Sequence, residues 1–351
     1  MILDDFDFFL PEELIALRPV KPRTSSRLLV AEGGSLIDAK FSQLENFLRP
    51  GDRLVLNNTR VLKSFISAIR IRHENNLSSE AKVKFNLLEK VSKTKWKVLV
   101  KPLRKLKKND ILQLSNGGSL IVSSVFSDHA IIDFQLNEGE CLEGFLKNVG
   151  QMPIPPYILK KRKVDKYDDI DYQTVFACSE GSVAAPTASL HFDNSLISKL
   201  ETMGVKLSYV TLHVGGGTFL PIKTENISEH KMHSEYGVVS SETAEEINQT
   251  KRNGKRVIAV GTTSARLLET ASIDNSCSAF KGKTDIFIKP GYDFKLIDGL
   301  ITNFHLPKST LIILVASLIG LKECKDLYSH AIEKKYRFFS YGDSSLILRK
   351  S

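Results

Sequence analysis

The chain has 351 residues, 42% of them hydrophobic and 25% charged, with 49 lysines and arginines against 40 aspartates and glutamates for a net charge of +9. The length exceeds the usual single-domain range and predicts two domains, while the composition is that of a soluble globular protein with a substantial core. The positive charge favours a polyanionic partner without requiring one. The four cysteines, Cys141, Cys178, Cys277 and Cys324, stand far apart and form no zinc-type spacing, so buried reduced thiols in a cytoplasmic protein are expected. The start, Met1-Ile2-Leu3-Asp4-Asp5, is acidic where a signal peptide is basic.

In chain order, the sequence predicts a short acidic helix over Pro11 to Leu17 and strands at Arg27–Val30 and Arg53–Leu56. From Val61 the character changes to short β-rich runs, Val83–Leu87, Trp96–Val100, Ile111–Leu114, Ser119–Val122 and Ala130–Phe134. Ser115-Asn116-Gly117-Gly118 reads as a hairpin turn, with glycines free to take positive φ. Five or six close-spaced strands without helices suggest a small antiparallel barrel. Helical pattern returns near Glu143, and Met152 to Tyr157 followed by Lys160 to Lys163 reads as a Pro-rich linker or exposed loop. Beyond it, helix and strand alternate: a helix capped by Asp193 or Ser195, a strand Lys206–Val214, a helix capped by Ser241, a buried strand Arg256–Val260 and a helix Ser264–Ala271. The apolar run Leu311 to Leu321 contains Ser317 and is about half the ~20 residues of a membrane span, so it reads as a core helix. The predicted fold is α/β: a main α/β domain built from 1–60 and 151–351, with a small antiparallel β-barrel domain inserted at 61–150.

Three segments are almost bare of bulk, which lets backbone amides approach a ligand closely. The first runs from Gly181 to Phe192 and contains Thr187 and His191; the second is Leu212-His213-Val214-Gly215-Gly216-Gly217-Thr218-Phe219; the third is Val260-Gly261-Thr262-Thr263-Ser264-Ala265-Arg266. In the third, a strand passes through glycine into hydroxyl residues that open a helix, aiming free N–H groups at one point, which suits a carboxylate or phosphate; a capped helix without function has the same pattern. The triple glycine is not a dinucleotide fingerprint, because no acidic residue stands in ribose-binding register. His191 and His213 lie inside the small-residue runs and are preferred as ligand-facing groups over the core role that a lone histidine usually has. His230 and His233, with Glu235 nearby, lack a recognisable third ligand, so no metal is expected. No nucleophile elbow or P-loop is present. The basic clusters Lys101–Lys108, with Arg104 and Lys105, and Lys160–Lys163, with Lys160, Lys161 and Arg162, are solvated faces or contacts to RNA phosphates.

Taken together, these residues resemble the S-adenosylmethionine:tRNA ribosyltransferase-isomerase family of queuosine biosynthesis. The similarity spans nearly the whole chain and includes Phe8 to Ala16, Leu56-Asn57-Asn58-Thr59-Arg60-Val61, Met152 to Ile158, Tyr172-Gln173-Thr174-Val175, the three bare segments, His233-Ser234-Glu235, Thr302 to Pro307 and Tyr336 to Asp343. It is weakest at about 65–145. The family usually has glycine at Ser189, valine at Ala265 and alanine-methionine at Ser344-Ser345.

The resemblance implies transfer and isomerisation of the ribosyl group of S-adenosylmethionine onto the aminomethyl arm of 7-aminomethyl-7-deazaguanine at the tRNA wobble position. Epoxyqueuosine forms, and adenine and methionine are released. The sulfonium acidifies the C5′ hydrogens, a base removes one, adenine leaves, the RNA amine attacks the sugar, and methionine departs as the epoxide closes. S-adenosylmethionine is a consumed substrate, and no metal or redox cofactor is implied. His191 and His213, backed by His305 and Glu235, are the expected proton-transfer groups. Thr262, Thr263, Ser264 and Arg266 would hold the methionine carboxylate or an RNA phosphate, and Gly215, Gly216, Gly217, Thr218 and Thr187 would pack on the substrate. Arg60, Arg104, Lys105, Lys160, Lys161 and Arg162 would contact tRNA, and a monomer without membrane contact is expected. A methyltransferase and a non-enzymatic tRNA-binding protein are the competing classes. The first lacks a glycine-rich first-strand turn with a ribose-binding acid, and the second leaves the bare segments without a purpose.

Overall fold

The computed structural model describes residues 1–74, 77–136, 139, 141–216, 222 and 224–349. Among these residues the strands form a nine-stranded mixed sheet and a closed barrel of six antiparallel strands. The sheet order is Phe280–Thr284, Glu235–Val239, Lys206–His213, Arg53–Asn57, Val257–Val260, Gly299–Asn303, Ser344–Leu348, Arg27–Glu32 and Ser35–Lys40. The four strands from Lys206–His213 to Gly299–Asn303 are mutually parallel, so their carboxyl ends share one edge.

The central strands are apolar on both sides because both sides are covered. Val55, Val257, Ala259 and Leu300 face one core with the helices Ser241–Arg252, Thr262–Thr270, Thr310–Ile319 and Leu321–Glu333. Their neighbours Leu54, Leu56, Ile258, Val260 and Ile301 face a second core with Phe41, Leu44, Phe192, Leu196 and Leu200. The α/β expectation is met as a three-layer arrangement. The run from Leu311 is the buried helix Thr310–Ile319, which ends at Gly320 (φ 96°). No helix among the described residues is long and apolar enough to cross a membrane.

The barrel is built from Phe65–Glu74, Leu77–Lys90, Lys95–Lys101, Ile111–Gln113, Ser119–Val125 and Ala130–Phe134 around its own apolar centre, which includes Ile66, Phe85, Val98, Leu112 and Ile132. Phe65–Glu74 is the strand the sequence hid: its inward positions carry Ala68 and the buried Arg70, while Ile69 points outward. Arg70 is accommodated there by hydrogen bonds to the Ser79 hydroxyl (2.8 Å) and carbonyl (3.2 Å). The expected turn is present, with Gly117 at φ +87°. The chain leaves through the helix Leu142–Val149 and returns beside its starting point, where Phe65 and Gln151 exchange backbone hydrogen bonds of 3.1 and 2.8 Å.

Several local expectations are corrected. Pro11 to Leu17 is only a 3-10 turn at Glu12–Leu14, because the Leu14 carbonyl accepts from Phe338 N (2.7 Å) and Ile15 pairs with Phe338 as extended chain. Met152 to Pro155 is buried, and Pro156–Lys161 is helical, so this segment is a wall and not a linker. Ser240, one residue before the expected cap, accepts from Thr243 N at 3.0 Å. Cys277 and Cys324 are buried as expected, but Cys141 and Cys178 are exposed. Ser189 lies in the 3-10 turn Thr187–His191 at a backbone conformation open to any residue.

Closure of the insertion depends on Gly150. A Cβ there would sit 1.8 Å from the Lys63 carbonyl oxygen and 2.7 Å from that of Leu146, both backbone atoms that cannot step aside. Gly150→Ala is therefore expected to cost about 3 kcal/mol or more. The drop should appear in a thermal melt followed by the fluorescence of Trp96, the single tryptophan, which sits inside the barrel.

Candidate functional site at the carboxyl edge of the parallel strands

Asn57 ends the central strand and is fully buried. Its Nδ2 donates to the Leu212 carbonyl (2.9 Å) and toward Thr263 Oγ1 (3.4 Å), while its Oδ1 accepts from the N–H groups of Leu212 and Thr59, each at 3.1 Å. One amide thus ties together the end of a neighbouring strand, the start of a helix and the path toward the barrel. The first bare segment is stitched to the second: Val183 N donates to the Val214 carbonyl (3.1 Å), and Val214 N donates to Ser182 Oγ (3.0 Å). It also approaches the third, since a Cβ on Gly261 would lie 3.7 Å from that of Ala188. Gly261 has φ 90°, which turns the chain from strand to helix and leaves the first turn without a side-chain cap.

These contacts enclose a cavity of about 480 Å³. Its walls are Ala184 to Ala188, Val214, Gly261, Thr262 and Thr263, the stretch Thr302 to Ser309, and the aromatic residues Tyr157, Tyr172 and Phe339, with Lys160 at its edge. It lies outside the carboxyl ends of parallel strands, where open α/β sheets hold their ligands. No acidic residue among the described ones lines it. Lys308, at φ +56°, is held by Asp4 and Asp7, both at 2.9 Å, which raise its pKa to about 12. Burial pushes the Tyr157 hydroxyl up to about 12 as well, and that hydroxyl accepts from Ser340 N at 3.1 Å.

Of the expected proton-transfer groups, only His305 faces the cavity. Its Nε2 meets Thr302 Oγ1 at 2.9 Å, and burial lowers its pKa to about 3, so it is neutral at working pH. His191 is a core residue instead. Asn303 Nδ2 donates to His191 Nε2 (3.2 Å), which leaves Nδ1 protonated toward Ser26 Oγ (2.8 Å), and the ring stacks on Phe41 at 5.0 Å. Desolvation, then Arg337 and Arg23, hold its pKa at about 3. Its effect on the cavity is indirect: it fixes the Asn303 amide, whose Oδ1 accepts from Thr187 Oγ1 at 2.9 Å, and both Asn303 and Thr187 line the cavity. His213 points to the other side of its strand, with Nδ1 2.8 Å from Thr59 Oγ1 and burial lowering its pKa.

Glu235 and Arg266 are also displaced from the expected roles. They form a buried ion pair, Glu235 accepts from Gly215 N (3.0 Å), and Arg266 Nε donates to the Ile286 carbonyl (3.2 Å). The pair braces the chain before the triple glycine instead of facing the ligand. Ser264 is fully buried behind Thr262 and Thr263. Gly215 and Gly216 do not line the cavity, and a Cβ on Gly216 would strike Leu88 of the barrel at 2.2 Å. Gly217 and Thr218 lie outside the described residues. Among the described residues, no cluster of His, Cys, Asp and Glu suits a metal ion, so His230 and His233 form no such centre.

Arg60, Arg104, Lys105, Lys160 and Lys161 are exposed. Lys161 is paired with Glu12 (2.6 Å), and Arg162 is clamped by both oxygens of the buried Asp168 (2.6 and 2.8 Å), so Arg162 is a structural cation. Sequence reasoning did not single out Asn303, Tyr157 or Lys308. A signal existed for the first, since the apolar strand Gly299–Asn303 closes on Thr-Asn just before Phe304-His305.

Asn57→Leu keeps the branching of the side chain but strands the Leu212 N–H and carbonyl in the core, and is expected to cost about 2–4 kcal/mol in urea unfolding followed by circular dichroism. The two buried histidines set an acid dependence. Unfolded imidazoles bind protons below about pH 6.5, but the folded ones do not until about pH 3. Stability should therefore be complete above pH 6.5 and fall as pH drops from there, by about 1.4 kcal/mol per pH unit for each histidine. His191→Gln should flatten the slope of unfolding free energy between pH 6.5 and 5 by one proton.

The sequence and fold have counterparts among known proteins. A family model described as "Queuosine biosynthesis protein" matches residues 3–347. A protein of Roseobacter denitrificans named S-adenosylmethionine:tRNA ribosyltransferase-isomerase is 51% identical over 348 residues, 99% of each chain. One of the same name from Zymomonas mobilis is 47% identical over 351 residues, all of both chains. The crystal structure of an S-adenosylmethionine tRNA ribosyltransferase from Thermotoga maritima shares 32% identity, covers 98% of this chain and 100% of that one, and superposes with a TM-score of 0.55.

Proposed function

The chain belongs to the queuosine biosynthesis family of S-adenosylmethionine:tRNA ribosyltransferase-isomerases, and from that premise we propose that the 480 Å³ cavity holds S-adenosylmethionine beside the wobble nucleotide. The enzyme transfers and isomerises the ribosyl moiety of S-adenosylmethionine onto the aminomethyl group of 7-aminomethyl-7-deazaguanine in tRNA, giving epoxyqueuosine-tRNA, adenine and methionine. The observation that carries the cavity assignment is the convergence of Ala184–Ala188, the Gly261-Thr262-Thr263 turn and Thr302–Lys308 on one hollow.

Within this reading, the uncapped first turn at Thr262 and Thr263 receives the methionine carboxylate, aided by Lys160 at the edge. Thr187 and Asn303, held in place by His191, offer hydrogen bonds to the sugar. Tyr157 and Phe339, with ring centroids 4.5 Å apart, form an aromatic wall for adenine or the sulfonium.

His305 is assigned the proton transfer. Lys308 and Tyr157 are both protonated at neutral pH and cannot accept, whereas His305 is neutral. Burial disfavours the imidazolium, so the ring relays the proton taken from C5′ to departing adenine and does not store it. Activation comes from the substrate's own sulfonium, so the chemistry calls for no metal or redox cofactor. The protein works as a monomer in the cytoplasm, with 1–60 and 151–351 as its catalytic domain and 61–150 as an insertion.

Incubation with S-adenosylmethionine and tRNA carrying the modified base should release adenine and methionine, resolved by chromatography; S-adenosylhomocysteine in their place would mean a methyltransferase. His305→Gln should lower adenine release by about 10²–10⁴-fold while S-adenosylmethionine still raises the melting temperature. Full turnover in that variant would remove His305 from the reaction.

A further inference from the structure

The two faces of the large sheet are covered unequally at one end. On one face Leu267 of the helix Thr262–Thr270 packs so closely on Gly237 that a Cβ there would lie 2.6 Å from its Cδ1. On the other face, the Ser179–Ser182 strand lies over the last residues of Lys206–His213, where Gly181 sits directly against the His213 ring. Past that point, Glu235–Val239 and Phe280–Thr284 turn the face to solvent: Tyr236 is 38% exposed, Lys281 is exposed, and the Lys283 side chain is 63% exposed.

Strand register fixes what stands on this face. His213, Tyr236 and Lys283 are directly paired across three strands and form one row; Thr211, Val238 and Lys281 form the next. None of the six is acidic. The His213 and Tyr236 rings are parallel to within 11°, with centroids 6.3 Å apart. Thr59 holds the imidazole, and the following residue, Arg60, is exposed and anchored by one bond to the Ala177 carbonyl (2.7 Å). Lys283 is paired with Glu89 of the barrel at 3.0 Å, but both side chains are more than half exposed, so a phosphate competes readily for that ammonium.

We propose that this open face, with the Tyr236 ring as a stacking surface and Lys281 and Lys283 as phosphate contacts, seats the single-stranded anticodon loop of the tRNA. The proposal rests on the reading of the chain as a tRNA-modifying transferase. A flat ring on a rigid sheet, beside exposed lysines, matches an unpaired base and its phosphates; protein partners ask for a more apolar, less charged centre. Position supports the same occupant. Val214, the residue after His213, lines the cavity, so the platform and the reaction site lie at the end of one strand, on opposite sides of it. A loop seated on the face has a short path for one splayed nucleotide to reach the cavity.

The test uses the full chain and a fluorescent synthetic anticodon stem-loop, with affinity read by anisotropy across a salt series. Tyr236→Ala should weaken binding about tenfold or more, and Tyr236→Phe should bind as the native protein does. The double variant Lys281→Glu, Lys283→Glu should weaken binding and reduce the slope of log Kd against log salt by about 1.4. Each variant should keep its thermal stabilisation by S-adenosylmethionine; if Tyr236→Ala does not fold, the surface lysine pair decides. Native-level RNA binding by these variants, beside a native protein that binds RNA and releases adenine, overturns the platform alone. A native protein that neither binds RNA nor releases adenine overturns the tRNA reading and the platform with it.

Discussion

The amide of Asn57 is the joint on which the site depends. A parallel α/β sheet brings strand ends to one edge but does not fix what leaves those ends. Here one side chain does so, using both its donors and both lone pairs on the Leu212 backbone, Thr59 N and Thr263 Oγ1. No other residue type of that size donates and accepts in this pattern. A buried aspartate would lose the donors, and leucine would lose everything, each leaving orphaned backbone groups that cost about 1–3 kcal/mol apiece. Close packing also limits side-chain size nearby. A Cβ at Gly181 would meet the His213 ring at 2.9 Å, and one at Gly216 would displace the tip of Leu88, 2.2 Å away.

A second chain of bonds supports the cavity wall. Thr187, Asn303, His191 and Ser26 link the cavity wall to the interior through a neutral histidine. Its burial explains why it stays neutral, and neutrality is what lets Nε2 accept from Asn303. A protonated ring would have to donate at both nitrogens and would force the amide to flip, turning the Asn303 oxygen away from Thr187. The depressed pKa of His191 is therefore a condition for the shape of the wall. Ser345 stands nearby and donates to the Thr302 carbonyl at 3.3 Å.

Much of this was legible in the sequence because alternation and glycine report backbone geometry directly. The α/β rhythm after Asp193, the barrel turn at Gly117 and the Gly-Thr-Thr helix start each have a local cause, and each is present. Side-chain direction is not local. His191 and His213 lie in the right segments yet face away from the cavity, because the 3-10 turn and the strand pleat decide which side a residue presents. Arg266 sits four residues beyond Thr262 on the helix, but a buried carboxylate from another strand claims it. The Pro-rich stretch misled for a related reason: proline marks a stiff backbone, and stiffness serves a cavity wall as well as a linker.

The charge pattern of the cavity fits a sulfonium substrate in a way that composition alone would not suggest. A carboxylate beside the sulfur would bind the cation well, but it would also neutralise the charge that makes C5′ acidic, and binding spent on the ground state does not lower the barrier. Among the described residues the walls carry hydroxyls, an amide, a neutral imidazole and aromatic faces, and no acid. Ring faces attract a cation through their quadrupole while leaving its charge on the sulfur. Two cations also line the cavity: Lys308 is paired with Asp4 and Asp7, and Lys160 stands exposed at the edge, where the methionine carboxylate or an RNA phosphate would meet it. A pocket with such walls would hold the cation in place and leave the sulfonium its electron-withdrawing power.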